Sequence, residues 1–312
     1  MQLYKTRDFS LFFQDTFSFV KSHGGHFFKN FFIVNGLFVL ILMIIGYFFM
    51  SFYTDIVFGG MMEGNTNVID DFMNENSVLF LMLFVLFLVA SLVFGVFMYA
   101  FPVFYLQLYQ KTGGTDFGSS ELFMAYKENL DKLFIYIICS LLVGIPLIIV
   151  FSVLVFALFI TIIGILLLPF AIGAVMLFFF MALLEYMEGR MGIWDSYSYS
   201  WRLLSSKFVA AVGSVGLFYL MSYLIQNVIT LIAYIFGFVQ MFTTIEDGTP
   251  QADDVGGMMS VVMIISFIAG FLLGTILNNI VLINQGIIFY SLKEEAEGIN
   301  TRDIIDQIGT GE

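Results

Sequence analysis

From Leu133 to Leu184 the chain runs for 52 residues without one charged side chain, and few architectures can contain such a stretch. As a single helix at 1.5 Å per residue it would reach about 78 Å, more than twice the ~30 Å hydrocarbon core of a bilayer. The whole chain is 60% hydrophobic and 12% charged, against roughly 25% charged in an ordinary soluble domain. Its mean hydropathy is +0.97, too apolar for a water-soluble fold of this length. The stretch is therefore expected to be two membrane spans folded back on each other near Thr161–Gly164 with almost no loop. Length alone would allow two domains, but no polar stretch is long enough to build a separate core. One membrane domain over 1–292 is expected, followed by an acidic tail over 293–312.

Windows of about 20 apolar residues place spans near 31–53, 78–104, 134–158, 163–186, 209–235 and 260–288. The fold class is thus all-α, a polytopic bundle of six spans. Charge placement is an independent check. The 12 Lys and Arg residues fall at Lys5, Arg7, Lys21 and Lys29, at Lys111, Lys127 and Lys132, at Arg190, Arg202 and Lys207, and at Lys293 and Arg302. The loops at 54–77 and 242–257 carry only acids, among them Asp70, Asp71, Asp253 and Asp254. Under the positive-inside rule both loops face outward and both termini are cytoplasmic. That orientation needs an even number of crossings between Lys132 and Arg190, which the folded-back pair supplies. No cleavable leader is apparent, because the first apolar run ends in Phe52-Tyr53-Thr54-Asp55 without a small-residue cleavage site.

A short amphipathic stretch precedes each odd-numbered span. Phe9, Phe12, Phe13, Phe17 and Val20 share a helical face in the first. Leu122, Tyr126, Leu130 and Leu133 do so in the second, and Ile193, Trp194, Tyr197, Trp201 and Leu204 in the third. Such aromatic helices suit a membrane interface. Tyr126-Lys127 and Trp201-Arg202 are alike, each with a lysine five residues on, at Lys132 and Lys207. The expected organisation is three repeats of interfacial helix plus helical hairpin, over 8–110, 116–189 and 191–292.

Ser198-Tyr199-Ser200-Trp201-Arg202-Leu203-Leu204 and the segment Phe289–Gly298 together resemble a bacterial family of six-span membrane domains. Its members occur alone or as the membrane part of some glycerophosphodiester phosphodiesterases, and related uncharacterised families share the plan. The positions carried over are Trp201, Arg202, Tyr290, Leu292, Lys293, Glu297 and Gly298. The resemblance implies a fold and little activity, since the phosphodiester chemistry of that family belongs to a separate soluble barrel. Some similar proteins bear a carotenoid-cleaving oxygenase label, but that chemistry needs several histidines on iron and this chain has two, His23 and His26.

Those two histidines, in His-Gly-Gly-His, are read as a satisfied polar turn linking the first amphipathic stretch to its span. A structural zinc site usually takes four protein ligands, and no metal or cofactor is expected. The single cysteine, Cys139, has no partner for a disulfide or a thiolate metal site. The spans most informative about polarity are the last two. The fifth holds Ser222, Gln226, Asn227 and Thr230; the sixth holds Thr275, Asn278, Asn279, Asn284 and Gln285 behind Gly270 and Gly274 at GxxxG spacing. Interhelical hydrogen bonding explains such a cluster; the alternative is a polar lining for a lipid headgroup or solute formed by Gln226, Asn227, Asn278, Asn279, Asn284 and Gln285. No charged residue sits deep in an expected span, Glu185 and Glu188 lying at the cytoplasmic end of the fourth, which argues against an ion-driven pump. No phosphate-cradling glycine loop is present.

The expected function is a non-enzymatic component of a bacterial cytoplasmic (inner) membrane, a scaffold or accessory in envelope or lipid homeostasis. The alternative is a transporter or lipid-handling channel lined by the amides. Expected partners are the lipid bilayer and a membrane protein, with no nucleic acid. The acidic tail is expected to be solvated and to avoid an anionic lipid surface.

Overall fold

The expected fold-back is the tightest point of the chain. In the computed structural model, which describes residues 1–54, 68–246 and 252–300, helix α4 (Leu130–Phe159) ends two residues before the cap of α5 (Ile162–Glu188). Thr161 is extended (φ −118°, ψ 142°) and its side chain accepts from the Gly164 N–H at 2.9 Å, satisfying an otherwise orphaned helix-start donor. A Cβ at position 164 would lie 1.9 Å from the Leu158 carbonyl oxygen. Only glycine lets the chain reverse this closely.

The remaining helices are α1 (Phe9–Thr54), α2 (Val68–Thr112), α3 (Ser119–Glu128), α6 (Ile193–Ser206), α7 (Phe208–Glu246) and α8 (Ala252–Glu297). The chain is 91% helical, with no strand among the described residues. Among the described residues, six helices are long and apolar enough to cross a membrane: α1, α2, α4, α5, α7 and α8. The six-span integral membrane architecture is therefore as expected. Segments 55–67 and 247–251, which the sequence assigns to outward-facing loops, and the expected tail from 301 lie outside the described residues.

By contact the chain forms two compact units. The first comprises Met1–Val34, Val96–Met221 and Asn278 onward; the second comprises Asn35–Gly95 and Ser222–Leu277. In the first, α5 is tied to three neighbours by side-chain hydroxyls that donate to its backbone carbonyls. Tyr99 of α2 donates to Met176 (3.2 Å), Tyr136 of α4 to Phe179 (2.7 Å) and Ser200 of α6 to Phe178 (2.6 Å). Between lipid-soaked helices apolar burial gives little net drive, so hydrogen bonds and close packing carry more of the association. Aromatic pairs add to it, typically ~0.5–1.5 kcal/mol each. Phe27 meets Tyr105 at 4.7 Å and Phe104 meets Tyr126 at 4.7 Å, edge to face. Gly216 of α7 is pressed against Phe170 of α5, where a Cβ would come within 2.3 Å of the ring. In the second unit Phe49 packs on Phe80 and Phe87, and Gly46 admits the Phe267 ring.

One expectation about local structure needs correction. His-Gly-Gly-His is not a turn: α1 runs unbroken through it. Two helical glycines disfavour this by ~1 kcal/mol each, and tertiary contacts override that. The two His26 ring nitrogens meet the Tyr105 hydroxyl (2.8 Å) and the Phe117 carbonyl (2.9 Å), while Asn30 donates back to the His26 carbonyl. The break between amphipathic helix and span therefore exists only at Asn129, between α3 and α4, and at Lys207, between α6 and α7.

The apolar face of each amphipathic helix is divided between the protein interior and the exterior. Phe12, Thr16 and Phe19 are buried in α1, whereas Phe9 and Phe17 are exposed; in α6 Tyr197 and Leu204 are buried, but Trp194 and Trp201 face outward. The reason is the bilayer, which accepts apolar side chains on the outer face, so hydrophobicity does not single out the packed side.

Candidate functional site

The most concentrated chemistry lies where α5 and α8 end. Helix α8 runs past the expected start of the tail at Lys293 to Glu297, and Gly298 ends it with φ +62°. Lys293 is consequently buried and not part of a solvated tail, and Glu294 is buried beside it. A bare ammonium there would carry a large desolvation cost, and the structure meets it with two carboxylates. Lys293 Nζ donates to Glu185 and to Glu188 (2.7 Å), both on α5 one helical turn apart.

The network continues outward. Arg190 donates to Glu188 (2.9 Å) and to Glu297 (3.2 Å), and the Tyr199 hydroxyl of α6 donates to the other oxygen of Glu297. Burial, reinforced by that carboxylate, holds the Tyr199 hydroxyl well above its ordinary pKa, so it remains a donor. Lys293 also lies over the Phe289 ring at 5.1 Å, and the Arg202 guanidinium over Tyr199 at 4.9 Å. From the N-terminal segment the Tyr4 hydroxyl meets Glu188 at 3.5 Å, and its ring packs edge-on against Tyr290 at 5.1 Å. That segment is itself held by buried Arg7, which donates to the carbonyls of Gln2, Leu3 and Lys5 and pairs with Asp15 at 2.7 Å.

Of the residues singled out by resemblance, Arg202, Tyr290, Lys293 and Glu297 all reach this network. Leu292 is buried in the core, Gly298 is the helix stop, and Trp201 points away. Tyr4, Arg7 and Tyr199 were not legible as parts of it. Glu185 and Glu188 were legible only as charges at the end of the fourth span, and nothing in the sequence names Lys293 as their partner.

Of the six amides, Asn278, Asn279, Asn284 and Gln285 belong to the first unit, and Gln226 and Asn227 to the second. Asn284 is a hub of the first unit: its Nδ2 donates to Thr16 (2.9 Å), to Ser214 (3.1 Å) and, at 3.4 Å, to the Phe12 carbonyl, joining α8 to α1 and α7. Gln285 is buried beside Tyr219, and Asn279 is buried while Asn278 is half-buried. Gln226, in the second unit, packs its Oε1 against Gly274. Asn227 is exposed and donates to its own helix at Tyr223 (2.7 Å).

No family model, no curated protein and no solved structure matches this chain.

Proposed function

We propose that this is a non-enzymatic integral membrane protein of a bacterial cytoplasmic membrane, with both termini cytoplasmic. It serves as a scaffold or accessory component for membrane partners in envelope or lipid homeostasis. The observation that carries the reading is the mutual engagement of the charged groups at the ends of α5 and α8, together with the interhelical bonds of Asn284. An ion- or solute-conducting path would present such groups to its cargo. Here they hold helix ends and the N-terminal segment in one arrangement, which suits a platform for a partner. The basic residues that border the spans support the orientation, and three repeats remain the proposed organisation.

Extraction of the full chain with its surrounding lipid in polymer nanodiscs, followed by mass spectrometry of what co-purifies, tests this. A stoichiometric membrane-protein partner, retained when Asn278, Asn279 and Gln285 are changed to leucine, supports the scaffold. A solute or lipid enriched over bulk membrane and lost in that variant overturns it in favour of the transport reading.

A further inference from the structure

Residues 1–8 form no helix or strand, yet Leu3, Tyr4 and Arg7 among them are buried. Such a segment has no ladder to satisfy its carbonyls, and one side chain does so instead. Arg7 donates to the carbonyls of Leu3 (2.7 Å), Gln2 (2.8 Å) and Lys5 (2.9 Å), and its Nε donates to Asp15 of α1 (2.7 Å). Only at Asp8, whose carbonyl accepts from the Phe12 N–H at 3.0 Å, does backbone of the segment bond to other backbone among the described residues. Further ties are few. Lys5 pairs with Asp15 at 3.7 Å, Lys207 donates to the Arg7 carbonyl at 3.4 Å, and the Met1 nitrogen donates to the Tyr109 hydroxyl. Releasing the Arg7 guanidinium therefore frees three carbonyls at once.

The segment sets Tyr4 against the buried charges. Its hydroxyl meets Glu188 Oε1 at 3.5 Å and its ring lies edge-on to Tyr290. The other oxygen of Glu188 accepts from Lys293 at 2.7 Å and from Arg190 at 2.9 Å. Lys293 thus lies one carboxylate behind Tyr4, with no part of its side chain exposed.

Two opposed contributions act on this closed arrangement. The charge-assisted bonds of Arg7 favour it. Against it, three carboxylates (Glu185, Glu188 and Glu297) face two cations, Lys293 and Arg190, and the buried Oε1 of Glu185 meets no donor among the described residues. Closure withholds from that oxygen the hydrogen bonds that bulk water gives, which is costly for a buried charge. An irregular segment held mainly at one point, over a group that water would stabilise, is the kind of element that opens locally, well short of global unfolding.

We propose that residues 1–8 are a strap over the Glu185–Glu188–Lys293 cluster, closed by Arg7 and Tyr4 and opening as one unit, so that the strap sets the access of water-borne groups to these charges. The device stands whether the chain serves as a scaffold or a transporter. The test uses the full chain in lipid nanodiscs and a water-soluble amine-acylating reagent, with the modified lysines quantified by mass spectrometry. In the parent, Lys293 is acylated far more slowly than the exposed Lys111. R7Q raises the Lys293 rate, relative to Lys111, about a hundredfold, the effect of losing two or more charge-assisted hydrogen bonds at about tenfold each. Y4A, which leaves the Arg7 bonds in place, raises it about tenfold, the size of the aromatic contact removed. Buried Cys139, probed with a maleimide in the same samples, stays unreactive, because the opening is local. Should R7Q fail to fold, Y4A decides alone. Lys293 as reactive in the parent as Lys111 overturns the proposal, as does a Lys293 rate indifferent to the variants. A rise matched at Cys139 overturns it in favour of general loosening.

Discussion

Single residues in this protein act through the scarcity of water around them. Lys293 is tolerated because Glu185 and Glu188 face it. Removing one partner strands the others, an effect of ~3–5 kcal/mol for buried pairs. K293M is therefore expected to lower the midpoint of thermal unfolding in nanodiscs sharply, and a midpoint within a degree of the parent would refute the assigned role. Asn284 makes a smaller contribution: interhelical hydrogen bonds in membranes average about 0.6 kcal/mol and reach ~1–2. N284L should cost about 1–2 kcal/mol in the same assay, while N227L, whose amide bonds only to its own helix, should leave stability unchanged. Outside the spans, Glu121 accepts from the Gly118 N–H at 2.9 Å, and that hydrogen bond holds its carboxyl below the ordinary value. Its support of the α3 start is present above the usual carboxylate pKa and is lost as pH falls through the lowered one. Hydrogen exchange at Gly118 should speed up over that acid range in the parent and be insensitive to pH there, beyond the intrinsic rate, in E121Q.

At the scale of elements, glycines do two opposite jobs. Gly25 lies within α1 with open space where a Cβ would go. Since helical glycine is disfavoured against alanine by ~1 kcal/mol, G25A should stabilise the protein by roughly 0.5–1 kcal/mol; destabilisation would restore the turn that the sequence alone implied. Gly164 is the reverse case, because the Leu158 carbonyl occupies its side-chain position. G164A should force the hairpin open and lower the yield of folded protein, measured by monodisperse extraction. The hairpin itself was readable from the uncharged run and the ~30 Å limit. The joining of amphipathic stretch and span in α1 was not, because the contacts of His26 with Tyr105 and Phe117 come from residues far away in the chain.

For the molecule as a whole, the proposed orientation has a direct test. In a cysteine-substituted chain lacking Cys139, a membrane-impermeant maleimide should label positions 63 and 250 in sealed cells and spare position 120. Labelling at 120 from outside would invert the map. The same reagent would separate the scaffold and transport readings if accessibility of position 285 changed with an added solute, as a lined path requires.

The number of spans and the site of the chain reversal were determined by the sequence itself. Each follows from a one-dimensional quantity, the length of an apolar run, set against a bilayer of known thickness. Which residues meet was decided only by tertiary structure. Every face of a membrane helix is apolar, whether it packs on protein or on lipid, so Trp201 facing outward and Leu204 facing inward look the same in one dimension. The pairing of Lys293 with Glu185, 108 positions away, rests on the two helix ends arriving side by side, and no local pattern records that arrival.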